Sequence, residues 1–375
     1  MSLEAITAKL QQELEQLKNT PDLVMTEALD FELRDTPPKL STIEGIEVGK
    51  TSAGYKALHI PGQEVKDLMG LEIEMGFAPT TIQLRAIQRF FEKHSKELKT
   101  KGWTSENNNF GYEHYGFMRL IQTKIFRQKL SNLLHTAPHS DGGGLESVII
   151  PATLEAYPFI KHELSYILSV YKAFGFTDMV QGAGVHVNVD FSLFGKDKKE
   201  QRNTMANLLW FCFINNDFVV ELSQRRMRDT FKADMWSSLG DVLALDPSGS
   251  VKTFITQKNQ MLDAVENGRA LRSFNLHAHR DGRPALEMRW FGATEDPDRL
   301  MMMVEFVHSL VTYCKSGNPQ TLTLHLYSQF VRKNAATYTH LHEYMDSNPY
   351  SQQFMRLASS VEQRTVRIGA TVESI

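Results

Sequence analysis

Two glutamates, Glu72 and Glu74, lie one residue apart in the otherwise apolar segment 70–77. In an extended strand their side chains point to the same face, because successive side chains alternate between the two faces. Two carboxylates this close repel and raise each other's pKa, so the pair favours open solvent or a bound cation. The pair alone therefore leaves two interpretations, a solvated outer strand face and a metal site.

A second polar face is predicted in the segment 184–190, where polar residues alternate with valines. His186, Asn188 and Asp190 fall on one face, and the three valines fall on the other. A single buried histidine is usually a satisfied core residue, whereas a polar face opposite an all-valine face favours a polar cavity. A third carboxylate, Glu146, begins an apolar run that follows a glycine-rich turn.

A β-hairpin is predicted further along the chain, where an Asp-Gly dipeptide separates two alternating segments. Its first strand would carry Asn275, His277 and His279 on one face, and its second strand would carry Glu287 and Arg289 on one face. The two histidines could suggest a metal pair, but no cysteine accompanies them and zinc-type spacing is absent elsewhere. The hairpin therefore adds one more carboxylate and an arginine to the candidate chemistry.

Helices with apolar residues at helical spacing are predicted on both sides of these strands. The first is an amphipathic helix over 3–17, followed by irregular structure with short β-like runs over 20–66. Further helices are predicted over 81–91, 116–134, 153–174 and 298–314, after a charged turn at 195–200, and in the tail 321–375. The segments 102–115 and 225–258 are candidate loops over a site. Around the two glutamates, the predicted strand at 70–77 is followed by the predicted helix at 81–91.

The composition excludes several function classes. Lys and Arg number 41 against 44 Asp and Glu, so the formal net charge of −3 offers no basic field for nucleic acid or an anionic membrane surface. Two cysteines in apolar surroundings imply no disulfide framework, which suits a reducing cytoplasm. No apolar run approaches the roughly 20 residues of a membrane helix, so we expect a cytoplasmic protein without a membrane-spanning helix. Homo-oligomerisation stays open.

Four motifs, taken in order over 70–295, resemble those of the glutamine synthetase-like carboxylate–amine ligases, and among them the amidoligases. The motifs are Gly-Leu-Glu-Ile-Glu at 70–74, Ser-Asp-Gly at 140–142 with Glu146, Gly-Ala-Gly-Val-His-Val-Asn at 182–188, and Asn275 with Leu-Glu-Met-Arg at 286–289. One departure concerns the family's His-x-His pair, whose second position is Asn188 in this chain.

The resemblance implies an α+β fold with a glutamine synthetase-like curved antiparallel sheet flanked by helices. On this interpretation the chain divides into an N-terminal extension with an amphipathic helix at 1–66, a catalytic domain at 67–318 and a C-terminal helical extension at 319–375. The resemblance also implies binding of ATP together with Mg²⁺ or Mn²⁺. The metal positions that it implies are Glu72, Glu74, Glu146, His186 and Glu287.

Further roles follow from the same resemblance. Arg289 and Asp141 would be catalytic, with Arg289 at the transferred phosphoryl group or the substrate carboxylate. The family has an arginine before the asparagine of its motif. In this chain that arginine could be Arg269 or Arg272. The implied nucleotide contacts are Arg269, Arg272, Asn188 and Asn275.

The activity implied by the resemblance is the joining of a carboxylate to an amine. Because this reaction is uphill in water, ATP would first convert the carboxylate to an acyl phosphate, which the amine then attacks. The substrates would be small-molecule or peptide carboxylates and amines. Two alternatives remain: a non-catalytic ligand-binding or structural module that retains the fold, and a phosphagen-kinase-like phosphotransferase, which would use a reactive cysteine.

Overall fold

A computed structural model describes most of the chain between 34 and 353. The described residues are 34, 36–51, 54–78, 80, 83, 130–136, 138–141, 144–178, 183–224, 251–267, 273–278, 284–318 and 321–353. The predicted helix at 3–17, most of the helices at 81–91 and 116–134, the loop at 102–115 and the Asp-Gly turn lie outside them. The same holds for the tail beyond 353.

The strands form two antiparallel sheets. The small sheet pairs β1 (Glu47–Lys50) with β2 (Lys56–His59). The strands of the large sheet are β3 (Met69–Phe77), β4 (His139–Asp141), β5 (Gly144–Val148), β6 (Phe176–Thr177), β7 (Gly184–Asp190), β8 (Phe274–Ala278) and β9 (Pro284–Gly292). Their order in the sheet is β4-β5-β3-β7-β9-β8, with β6 paired to the end of β3. The pairing of β8 with β9 confirms the predicted hairpin.

Eight α-helices accompany the sheets in the described part of the chain. They are α1 (Tyr157–Ala173), α2 (Phe191–Phe194), α3 (Lys198–Ile214), α4 (Asn216–Ser223), α5 (Val251–Glu266), α6 (Pro297–Ser316), α7 (Leu324–Lys333) and α8 (Thr339–Ser347), with 3-10 turns at Leu40–Thr42 and Leu154–Ala156. The fold is therefore α+β, an antiparallel sheet with flanking helices. Among these described helices, none combines the length and apolarity that a membrane span requires.

The apolar faces of the central strands form the core. Six alternating side chains are buried there: Leu71, Ile73 and Met75 of β3, and Val185, Val187 and Val189 of β7. Helix α6 packs against β7 and also against α1, α3 and α8. The Tyr157 hydroxyl at the start of α1 donates a hydrogen bond of 2.9 Å to the Met69 carbonyl, which ties that helix to β3. Burial of these faces leaves the opposite, polar face of the strands for other contacts.

Short polar side chains set the starts of the helices. Asp296 accepts the Asp298 amide at the start of α6, and Asp197 accepts two amides at the start of α3. Because Asp197 caps α3, the helix begins at Lys198, inside the segment that was predicted to be a charged turn.

Two sequence predictions differ from the structure at their ends. The predicted helix over 116–134 does not continue through 131–134, because this stretch runs beside β5: the His135 amide donates to the Val148 carbonyl, and Leu134 forms a bridge with Ile149. Buried leucines in this stretch fit a core-facing extended segment as well as a helix. The predicted loop over 225–258 is wrong from Val251 onward, where α5 begins.

Candidate metal centre

The antiparallel register places predicted acidic residues side by side on the polar face of the large sheet. Glu72 of β3 lies opposite His186 of β7. Glu74 of β3 lies opposite Glu146 of the neighbouring strand β5. Residues directly opposite each other in antiparallel strands project from the same face. The register therefore gathers residues from three strands around the Glu-x-Glu motif.

Strand β9 adds Glu287 and Arg289 to this face next to a β-bulge. Opposite His186, β9 contains one more residue than β7. Because of this extra residue, the consecutive side chains of Trp290 and Phe291 are both fully buried. Meanwhile the Arg289 Nη1 donates to the Glu287 Oε1 over 3.1 Å, so both charged side chains stay together. Sequence reasoning missed the bulge, whose only signal is two large apolar residues in succession after an alternating segment.

His186 lies at the centre of the cluster. Its Nδ1 is 2.9 Å from the Glu287 Oε1 and 3.5 Å from the Glu72 Oε2, and its Nε2 is 3.4 Å from the Glu74 Oε2. The exposed fraction of the histidine side chain is 1%. Despite these short distances, neither ring nitrogen has a hydrogen-bond partner with acceptable angles among the described residues. The ring nitrogens thus face carboxylates without being aligned to them.

The arrangement fits a divalent cation. One ligand atom from each of Glu72, His186 and Glu287 lies within 4.8 Å of the others. Carboxylate oxygens are the donors that Mg²⁺ and Mn²⁺ prefer, and an imidazole nitrogen suits transition metals such as Mn²⁺. An ion between these atoms would satisfy the buried nitrogen of His186 and would offset the repulsion between the carboxylates.

Two side-chain amides support the carboxylates from outside. The Asn188 Nδ2 donates to the Glu72 Oε1 over 2.8 Å, and the Asn275 Nδ2 donates to the Glu287 Oε2 over 2.9 Å. The resemblance had assigned both asparagines to the nucleotide. In the structure each amide contacts a glutamate of the candidate metal centre.

The electrostatics of the cluster favour a positive charge at its centre. Burial lowers the pKa of His186, but the adjacent carboxylates of Glu287, Glu72 and Glu74 outweigh burial and raise it to about 9. Burial raises the pKa of Glu72, yet its contacts with His186 and the neighbouring amide outweigh burial and leave it below the ordinary value. At neutral pH a proton on His186 therefore occupies the role that a cation would take.

The other residues that were predicted to belong to the site lie at different distances from His186 or outside the described residues. Glu146 lies on the same face, but strand β3 separates its strand, β5, from the strand of His186, β7. Asp141 lies in β4 opposite Gly144, at the edge of the sheet. Asp190, which the alternation placed with the polar face of β7, instead caps α2 by accepting the Ser192 amide over 2.8 Å. Two predicted nucleotide contacts, Arg269 and Arg272, lie outside the described residues.

Comparison with known proteins does not identify a family. No protein-family model matches the chain, and no curated protein matches it. The function must therefore be argued from the geometry of the site.

Proposed function

We propose that the protein is an ATP-dependent carboxylate–amine ligase of the glutamine synthetase-like type, which uses a divalent cation held by Glu72, His186 and Glu287. One observation carries the proposal. Ligand atoms of these three residues, which come from three different strands, converge within 4.8 Å on one sheet face. They are also three of the five metal positions that the family resemblance implies.

The chemistry of the reaction needs such a site. A divalent cation, when bound, supplies positive charge to the phosphates of ATP as one of them is transferred. Glu74, whose Oε2 is 3.4 Å from the His186 Nε2, and Glu146 beside it add acidic character to the same face. A solvated strand face would not enclose a histidine and a glutamate, Glu287, whose side chains are almost wholly buried.

Arg289 is suited to the developing negative charge of the reaction. Its guanidinium lies next to Glu287 and is partly exposed. A planar cation held beside the cation site by a buried carboxylate is a preorganised electrostatic group. We therefore place it at the transferred phosphoryl group or at the substrate carboxylate.

The phosphagen-kinase-like alternative finds no support in the cysteines. Both cysteines of the chain, Cys212 and Cys314, are buried. Burial raises the pKa of both thiols, so neither forms a thiolate nucleophile readily. The acidic face therefore fits a metal-dependent ligase better than a reaction through a cysteine.

Calorimetry with a non-hydrolysable ATP analogue tests the proposal. We expect the analogue to bind in Mg²⁺ and not in EDTA, because carboxylates cannot hold the phosphates without an intervening cation. Glu72→Gln should weaken this binding strongly. Glu343→Gln makes the same change at an exposed position of α8 and should leave it unchanged. Equal binding in EDTA and Mg²⁺ would contradict the proposal, and metal binding without nucleotide binding would favour the non-catalytic module.

A further inference from the structure

The two glutamates that face the His186 Nδ1 use their oxygens in the same way. Glu72 accepts the Asn188 amide at Oε1 and directs Oε2 toward the histidine, at 3.5 Å. Glu287 accepts the Asn275 amide at Oε2 and directs Oε1 toward the histidine, at 2.9 Å, while this Oε1 also accepts the Arg289 Nη1. In each carboxylate one oxygen is held by an amide and the other faces the shared centre.

The register explains why the same arrangement occurs twice. Asn188 and Asn275 are both cross-strand partners of Glu287, one on each side of β9. Asn188 also lies opposite Gly70, one alternation before Glu72 on β3. From this position the Asn188 side chain turns toward Glu72. The sheet therefore places one amide beside each carboxylate.

An amide has two properties that suit this position. It donates a hydrogen bond without adding charge, whereas a lysine would neutralise the carboxylate and an aspartate would repel it. The donation also fixes the orientation of the amide, because a flipped Asn188 would set its oxygen against the Glu72 oxygen. Asn188 is almost fully buried, and its Oδ1 has no donor among the described residues. A position selected for packing alone would favour an apolar side chain of the same size.

We propose that Asn188 and Asn275 are positioning residues for the cation: each holds the outer oxygen of one glutamate, so that the inner oxygen points at the metal. The inference rests on the proposed function, since it concerns the same site. It assigns both amides to the metal centre and not to the nucleotide. Outer partners of this kind orient metal ligands, and their loss typically lowers metal affinity about 10- to 100-fold.

Mn²⁺ titration of the full-length, EDTA-treated protein tests the inference, with free Mn²⁺ measured by electron paramagnetic resonance. Asn188→Leu and Asn275→Leu keep the size of the side chain and remove the donor, so we expect each to bind Mn²⁺ about 10- to 100-fold more weakly than the parent. Asn275→Gln keeps a donor on a half-buried side chain and should recover part of this loss. If leucine is not accommodated, the alanine variants at both positions provide the same test.

Asn132→Leu is the matched control. Asn132 is half-buried, and its amide donates to the Pro38 carbonyl over 2.8 Å and not to a carboxylate. This variant should keep the parent's Mn²⁺ affinity, whatever its melting temperature. A purely structural role for Asn188 and Asn275 would lower the melting temperature and leave Mn²⁺ affinity unchanged, which would overturn the inference but not the cation site. A parent protein that binds no Mn²⁺ would overturn the proposed function itself.

Discussion

Two histidines of this protein, His186 and His340, each lie between carboxylates, yet the two clusters differ in how the imidazole is aligned to those carboxylates. The His340 Nδ1 is 2.8 Å from the Glu305 Oε1, and its Nε2 is 3.2 Å from the Asp298 Oδ1. Lys161 of α1 also pairs with Asp298, and Glu305 accepts a main-chain amide in the first turn of α8. Every charged partner of this cluster comes from a helix, and the cluster joins α1, α6 and α8.

The His186 cluster gathers more carboxylates around its imidazole, and Arg289 pairs with one of them, Glu287. Three glutamates lie within 3.5 Å of the imidazole, and its nitrogens lack aligned partners among the described residues, whereas the His340 Nδ1 forms a hydrogen bond. The aligned His340 joins helices, whereas the imidazole of His186 faces carboxylates without an aligned hydrogen bond among the described residues, an arrangement that can hold an ion. The comparison therefore separates a structural joint from a candidate site, although both contain the same residue types.

The largest expected effect that separates the clusters is a pH dependence of the metal-free protein. Since the pKa of His186 is raised from 6.5 to about 9, its contribution to stability is complete below about pH 6.5 and is lost as the pH rises through 9. The loss should be on the order of 3 kcal/mol. Thermal melts in EDTA between pH 6.5 and 9.5 measure it.

Two comparisons control this pH dependence. His186→Gln should show a much flatter profile over the same range. Burial raises the pKa of Glu305 above its ordinary 4.5, so the contribution of this carboxyl to stability is complete below about pH 4.5 and is lost as the pH rises through the raised pKa. A parent profile that stays flat from pH 6.5 to 9.5 would remove the charged His186 from our account.

Matched glutamine substitutions in the two clusters should differ in their response to Mn²⁺. At about 100 times its Kd, Mn²⁺ stabilises the parent by about 2.7 kcal/mol. Glu287→Gln removes a proposed ligand and should lose most of this, because its affinity falls by more than the roughly 100-fold of an outer partner. Glu305→Gln should show the parent's Mn²⁺-induced shift, whatever its melting temperature without metal. Equal shifts for both variants would refute the metal role of Glu287.

The smallest expected effect concerns the joint alone. His340→Gln keeps a polar side chain at the start of α8 but loses the bridge between Glu305 and Asp298. We expect a loss of about 1 kcal/mol, as for a partly exposed charge-assisted hydrogen bond, and an unchanged Mn²⁺ affinity. Chemical denaturation with a parallel Mn²⁺ titration measures both quantities. A change in Mn²⁺ affinity would mean that the two clusters are coupled through α6.

Local alternation was a good guide to the faces of the strands. The valines of β7 and the apolar residues of β3 are buried as the pattern predicts, because a strand with one buried face must alternate. The hairpin of β8 and β9 was also predictable, since its signal lies within one short segment. Helices α1 and α6 were predicted closely, because long stretches of helical spacing are the most specific pattern.

Contacts between distant segments could not be predicted in this way. Asp190 follows the alternation of β7, yet the start of α2 recruits its carboxylate as a cap. The bulge in β9 depends on packing against β7, and the pattern within β9 does not specify it. Asn188 donates its hydrogen bond to Glu72, a residue 116 positions away in the chain, so this contact exists only because the fold brings the two strands together.

The sequence by itself determined which residues could be acidic, polar or apolar on each strand face, because side-chain alternation is a local property of the backbone. It also determined, through composition, that nothing in the net charge favours nucleic acid. Only the tertiary structure decided that β3, β7 and β9 are neighbours and in which register, which brings Glu72, His186 and Glu287 within 4.8 Å. Strand order and register follow from the burial of the whole apolar face of the sheet against the helices. This burial depends on contacts between segments that are distant in the sequence, so no single segment specifies it.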